Sequence, residues 1–233
     1  MKRIGLVSAI FCFFVVLASC GGGGGNGSGG TAERRADVII AIDSSASMAT
    51  EIAFVETEIN NFASSITLNG VDLRTILIVE GGAFCATAPL GSGTCPADEN
   101  LPSYRHDPTT VSSNNAFDQI IASYSNWNGS LRSDASKTII VVTDDDSGST
   151  WEQFRSDLIA LDATFTGFRF HAFAATVGPP LLPTDFCYGL SASVGTEYID
   201  LTNDTGGEFN DLCNQSFNPG FVAMAAAVIN DTP

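Results

Sequence analysis

Asp37-Val-Ile-Ile-Ala-Ile-Asp43 is followed at once by Ser44-Ser45-Ala46-Ser47, and this stretch decides the fold. Five consecutive apolar residues, four of them β-branched, lie between two aspartates. The run is too short for a buried helix. It reads as a central strand covered on both faces, the usual situation in a parallel sheet. Thr138-Ile-Ile-Val-Val-Thr143, followed by Asp144-Asp145-Asp146, repeats the pattern: a buried strand that ends in acid. Between and around the two, apolar residues change period. Ile52, Val55, Ile59 and Phe62 follow at helical steps and predict a helix over 49–66. Strands are expected at 71–79 and 168–175, with a short one at 197–201. Helices are expected at 114–124, from a Ser149/Glu152 capping box to about Leu161, and at 221–229. Residues 81–110, rich in Gly, Pro, Ser and Thr, read as a long loop or insertion. Strands alternating with helices predict an α/β fold, with a doubly wound, mostly parallel central sheet flanked by helices and right-handed crossovers.

The chain has 233 residues, 10 Lys+Arg and 26 Asp+Glu, for a net charge of −16. A composition 44% hydrophobic and 15% charged is that of a globular domain rather than a disordered chain. The acidity excludes phosphate-backbone binding, which needs clustered Lys and Arg, so nucleic acid is not an expected partner. It equally excludes adhesion to anionic lipid through a basic face.

Met1-Lys2-Arg3 is a short positive start, and Ile4 to Ala18 is apolar and uncharged. Fifteen residues are too few for a spanning helix, which takes ~20. The layout is that of a secretory signal over residues 1–19. Leu17-Ala18-Ser19-Cys20 resembles a bacterial lipobox. That resemblance implies cleavage before Cys20, lipid on that cysteine, and membrane attachment through the lipid alone. Gly21 stands where an inner-membrane retention signal would show Asp, so the implied address is the bacterial cell envelope at the outer membrane. Loss of Lys2 and Arg3 with the signal takes the charge to −18. Residues 21–30, GGGGGNGSGG, read as a flexible tether, so that 20–36 link the lipidated cysteine to one domain over 37–233.

With Cys12 in the signal and Cys20 assigned to lipid, four cysteines remain. An even count in an exported protein predicts two disulfides. Of three connectivities, Cys85–Cys95 closes a local loop and Cys187–Cys213 ties two loops near the end of the domain. A zinc site is the rival, but there is no CxxC, and His106 and His171 lack ligand spacing. His171 reads as a structural histidine within its strand.

Asp43, Ser45 and Ser47 form an Asp-x-Ser-x-Ser loop at the carboxyl end of the first buried strand, where open α/β sheets bind ligands. One carboxylate and two hydroxyls suit a hard cation that keeps waters. By themselves they equally suit a helix cap. Asp144 adds a carboxylate after a second strand, and Ser112-Ser113-Asn114 adds hydroxyls from a loop between the two. The order of these elements over 37–230 resembles a von Willebrand factor type A domain with a metal-ion-dependent adhesion site, a Rossmann-like fold. The resemblance implies a divalent cation, Mg²⁺ first with Mn²⁺ or Ca²⁺ as alternatives, held by Asp43, Ser45, Ser47, Ser113 and Asp144. Ser113 stands where the family usually has threonine, and Ser112, Thr109 and Thr110 compete for that role. Thr205-Gly206-Gly207 resembles the Thr-Gly-Gly that follows a late strand in such domains. Asp145 and Asp146 depart from the small residue usual after the aspartate.

The function so implied is binding rather than catalysis: a lipid-anchored envelope module whose cation engages an Asp or Glu carboxylate of a protein partner, in adhesion or in envelope assembly. No nucleophile–base pair, phosphate loop or Gly-x-Ser-x-Gly elbow is present. Two rivals stand beside it. One is a metal-dependent hydrolase using the Asp144–Asp146 cluster. The other is a structural domain whose site holds no metal.

Overall fold

The computed structural model describes residues 33–233; the expected signal, Cys20 and the glycine tether lie outside the described residues. Six strands form one sheet: β1 (Arg35–Ile42), β2 (Asp72–Ile78), β3 (Tyr104–Asp107), β4 (Ser136–Val142), β5 (Arg169–Ala174) and β6 (Phe209–Asp211). Their order is β3-β2-β1-β4-β5-β6, and every pairing is parallel. The α/β doubly wound expectation holds, with an all-parallel sheet. β1 begins two residues before the expected domain start.

The helices are α1 (Ala49–Leu68), α2 (Ala116–Ala122), α3 (Tyr124–Trp127), α4 (Trp151–Leu161), α5 (Thr196–Thr205) and α6 (Phe217–Asp231). The continuous apolar run of β1 is explained by its two faces. Val38, Ile40 and Ile42 pack against α1 and α6 through Val55, Ile59, Phe62, Met224 and Val228. Ile39 and Ala41 face the opposite layer, with Phe117, Phe154 and Tyr198 of α2, α4 and α5. A strand covered on both sides cannot alternate apolar with polar.

Several boundaries differ from the sequence reading. Residues 197–201 are helical, inside α5, and not a strand. Tyr198, Leu201 and Thr202 are its buried positions, a 3,4 spacing that a five-residue window does not distinguish from alternation. The cap of α4 is Thr150, whose Oγ1 accepts from Gln153 N (3.3 Å), one residue after the expected Ser149. Ser149 Oγ instead donates to Asp118 Oδ1 (2.6 Å). The expected helix over 114–124 is two short ones, α2 and α3. The expected 81–110 loop contains β3, a four-residue edge strand too short to show a period.

The rest of that insertion covers the α1 side of the sheet with Phe84, Ala86 and Leu90. It is organised by the Cys85–Cys95 disulfide and by buried Asp98. Asp98 accepts from Ala86 N (2.5 Å) and Tyr104 OH (3.1 Å) and pairs with His106 Nδ1 (2.6 Å). Cys187 and Cys213 form the second disulfide, with Cα atoms 5.1 Å apart, so the expected connectivity is the one found.

Candidate metal centre

In the strand order, β1 and β4 are central neighbours whose following connections leave on opposite sides of the sheet. This is the switch point at which α/β sheets open a crevice. Asp43 and Asp144 stand at its two walls, one residue past β1 and two past β4. Asp43 N donates to Val142 O (2.9 Å), which holds the two strand ends together. Ser44 closes the third side: its N (2.8 Å) and Oγ (2.9 Å) both donate to Val111 O, ahead of α2.

Each candidate ligand is placed by a short turn. Ser45 N donates to Asp43 Oδ1 (2.8 Å), folding the Asp-x-Ser-x-Ser loop back on its own carboxylate. Ser45 Oγ and Ser47 Oγ lie 3.1 Å apart. Thr143 Oγ1 donates to Asp43 Oδ2 (3.0 Å) and to Ser113 O (3.2 Å), so one hydroxyl ties all three loops. Asp43, Ser45, Ser47 and Asp144 are thus brought to one place. Ser113 joins them through its carbonyl. Of its rivals, Thr109 Oγ1 is engaged with Asp107 Oδ1 (2.8 Å), while Ser112 N is held by Asn115 Oδ1 (2.7 Å).

The electrostatics separate this site from the other buried acid of β1. Asp37, fully buried at the amino end of the strand, has two cations: Arg132 at 2.8 Å and Lys137 at 3.2 Å. Asp43 and Asp144 are buried as well, but they take part in no ion pair among the described residues. Burial pushes the Asp43 carboxyl above its ordinary range, against hydrogen bonds from Ser45 and Thr143, and the nearby Asp144 charge adds to the rise. Burial likewise raises Asp144; the Ser47 hydroxyl offsets part of this and the Asp145 charge adds to it. Asp144 Oδ1 is buried without a hydrogen-bond partner among the described residues. A buried carboxylate oxygen with neither donor nor cation is costly.

These residues fit a hard cation. Two carboxylates and a set of hydroxyls leave room for water or an outside oxygen, as Mg²⁺ prefers. No cluster of three or more His, Cys, Asp or Glu groups placed to hold an ion occurs among the described residues, so the protein's charge at this site would come from Asp43 and Asp144.

Asp145 and Asp146 are engaged elsewhere. Asp145 Oδ1 accepts from Ser193 Oγ and from Asp146 N (2.8 Å). Asp146 Oδ1 accepts from Ser147 N (2.9 Å) and Glu197 N (2.9 Å), in the first turn of α5. It supplies the cap that Gly195 lacks. Ala192 N (2.8 Å) and Ser193 N (3.3 Å) both donate to Asp144 O, so the 191–195 segment braces the second wall. Sequence reasoning did not single out Thr143 or Ser193. Thr143 had a signal, since a polar residue ending a buried strand next to Asp144 must find a partner. Ser193 had none.

Thr205-Gly206-Gly207 follows a helix rather than a strand and sits at the far end of β5. Gly206 ends α5 with φ +69°, and Thr205 Oγ1 accepts from Phe170 N (3.0 Å). A Cβ on Gly207 would meet Phe170 O at 1.6 Å, so close packing requires this glycine. The motif has no part in the centre. No protein-family model matches the chain, and no curated protein matches its sequence.

Proposed function

We propose that this protein is a binding module that uses a divalent cation, Mg²⁺ foremost, to engage a carboxylate on a protein partner. The observation that carries the reading is the pair of buried aspartates, Asp43 and Asp144, without a cationic partner among the described residues, at the switch point of the sheet. Asp37, in β1, is by contrast paired with both Arg132 and Lys137. Asp43, Ser45, Ser47, Asp144 and Ser113 would hold the ion. When bound, it would supply a positive charge with open positions for an outside oxygen. The chain's own residues fix the geometry. Thr143 orients Asp43, Ser45 N restrains its other oxygen, and Ser193 braces the Asp144 loop.

A von Willebrand factor type A reading is supported by this arrangement and by the sheet order. The hydrolase reading has less support, because the Asp145 and Asp146 side chains serve Ser193 and the start of α5. The lipobox-like Cys20 supports an outer-membrane lipoprotein in adhesion or envelope assembly. β1 begins at the end of the sheet opposite Asp43, ~26 Å away for eight extended residues. Affinity capture from envelope extract with Mg²⁺, and again with chelator, tests the reading. Partners released by chelator support it; capture indifferent to chelator overturns it.

A further inference from the structure

Eight large hydrophobic side chains are exposed among the described residues. Four of them fall within twelve residues of the β5–α5 connection: Val177 (45%), Leu182 (66%), Phe186 (65%) and Tyr188 (53%). The other four are scattered over α1, α4, α6 and the insertion. Isolated exposed apolar residues are ordinary, but a cluster with two aromatic rings marks a contact surface.

This cluster adjoins the candidate centre. Its loop returns through Ala192 and Ser193, whose N–H groups donate to Asp144 O. Gly178, next to Val177, packs so closely on Ser193 and Val194 that a Cβ there would lie 2.7 Å from Val194 N. The backbone is therefore packed continuously from Asp144 through Ser193 to Gly178. The loop is also held in place. Cys187 is bonded to Cys213 beside β6, and Asp185 Oδ2 accepts from Leu182 N (2.7 Å) in a turn continued by Asp185 N to Leu182 O and Tyr188 N to Asp185 O. Ordering before binding reduces the entropy lost on binding.

Charge selects the occupant. Residues 176–195 contain one charged side chain, Asp185, in a chain of net charge −16. An acidic ligand is repelled by most of this surface and least by the neutral loop. On the other side of the centre the rim is polar, with exposed Ser112 and Asn114.

We infer that the disulfide-stapled loop 177–188 is the apolar half of the docking surface, and that it receives a polypeptide segment with aliphatic or aromatic side chains close to its metal-seeking carboxylate. The inference rests on the metal-binding reading above and adds the chemistry of the partner.

The test uses purified protein and a bead-bound library of heptapeptides with a central Asp and randomised flanks, in Mg²⁺. Enrichment of Leu, Ile, Phe, Tyr or Trp in the flanks is expected. The combined variant Leu182→Ser, Phe186→Ser, Tyr188→Ser should keep the Mg²⁺-induced rise in melting temperature and bind selected peptides at least ten-fold more weakly. Flanks without apolar preference, or undiminished binding by the variant, overturn the inference. So does loop-dependent flotation with phosphatidylcholine vesicles, which would make the occupant a lipid surface. A loop-dependent dimer in sedimentation also overturns it, by making the occupant a second copy. Failure of the metal reading is seen separately: if Mg²⁺ does not change melting while apolar peptides bind in chelator and the loop variant loses them, the loop surface stands and the cation does not.

Discussion

Asp43 is where burial and charge conflict most directly. Asp43→Ala removes one carboxylate and the acceptor of both Ser45 N and Thr143 Oγ1. It is expected to abolish the Mg²⁺-induced rise in melting temperature, a stabilisation of about 2.7 kcal/mol at a hundredfold excess over Kd. An undiminished rise in calorimetry would remove Asp43 from the site. The pH dependence follows from the raised Asp43 and Asp144 carboxyls. A carboxyl raised on folding contributes stability that is present below its unfolded pKa and lost as pH rises through its folded value. In chelator these two groups therefore destabilise the fold as pH rises through and above the ordinary carboxylate range. Protons compete with the cation for them, so the melting difference between Mg²⁺ and chelator should widen upward through that window. A difference independent of pH would show that neither carboxylate meets the ion.

The strands carry predictions of their own. His171, in β5, accepts from Glu208 N through Nδ1 (2.8 Å), which requires the neutral ring; its Nε2 is buried without a partner among the described residues. Burial, with the Arg169 charge, lowers its pKa to about 4. The sign is opposite to that of the aspartates: this contribution is present above the unfolded value of ~6.5 and lost as pH falls toward 4, worth about 3 kcal/mol in all. Chemical denaturation in chelator across that range should show the loss, and His171→Gln should flatten it. In β1, Asp37→Ala leaves the buried Lys137 ammonium without its one ion-pair partner among the described residues, while Arg132 keeps Asp72 (2.6 Å), and should cost about 3–5 kcal/mol. The β5–α5 connection depends on its disulfide. Replacing Cys187 and Cys213 by serine reopens a link across 26 residues and should cost about 3 kcal/mol in denaturant melts.

The chain is acidic, and in the described residues the candidate centre lies at the carboxyl ends of β1 and β4, opposite the start of β1. A uniformly acidic partner is repelled at long range. Screening over ~8 Å at physiological salt still lets a bound ion act locally. A partner with a single carboxylate and a basic rim should therefore associate more slowly as salt rises, and chelator should abolish binding. Binding that strengthens steadily with salt in surface-resonance measurements would point instead to a contact made chiefly by the apolar loop.

Runs such as Val38–Ile42 and Thr138–Val142 determined by themselves that this is a parallel α/β sheet, because a strand buried on both faces leaves a continuous apolar signature. The even count of four cysteines and the Asp-x-Ser-x-Ser spacing were equally legible, since each is a local pattern. Only the tertiary structure decided the rest. It placed 197–201 in α5, where burial at 198, 201 and 202 outweighs a short window's resemblance to a strand. It moved Thr205-Gly206-Gly207 away from the centre and gave Asp145 and Asp146 to Ser193 and α5. It showed that Asp37 is neutralised by Arg132 and Lys137 while Asp43 and Asp144 are not. Partners 95 to 100 residues apart meet in these contacts, and no local pattern encodes which distant side chain will fill the space beside a buried charge.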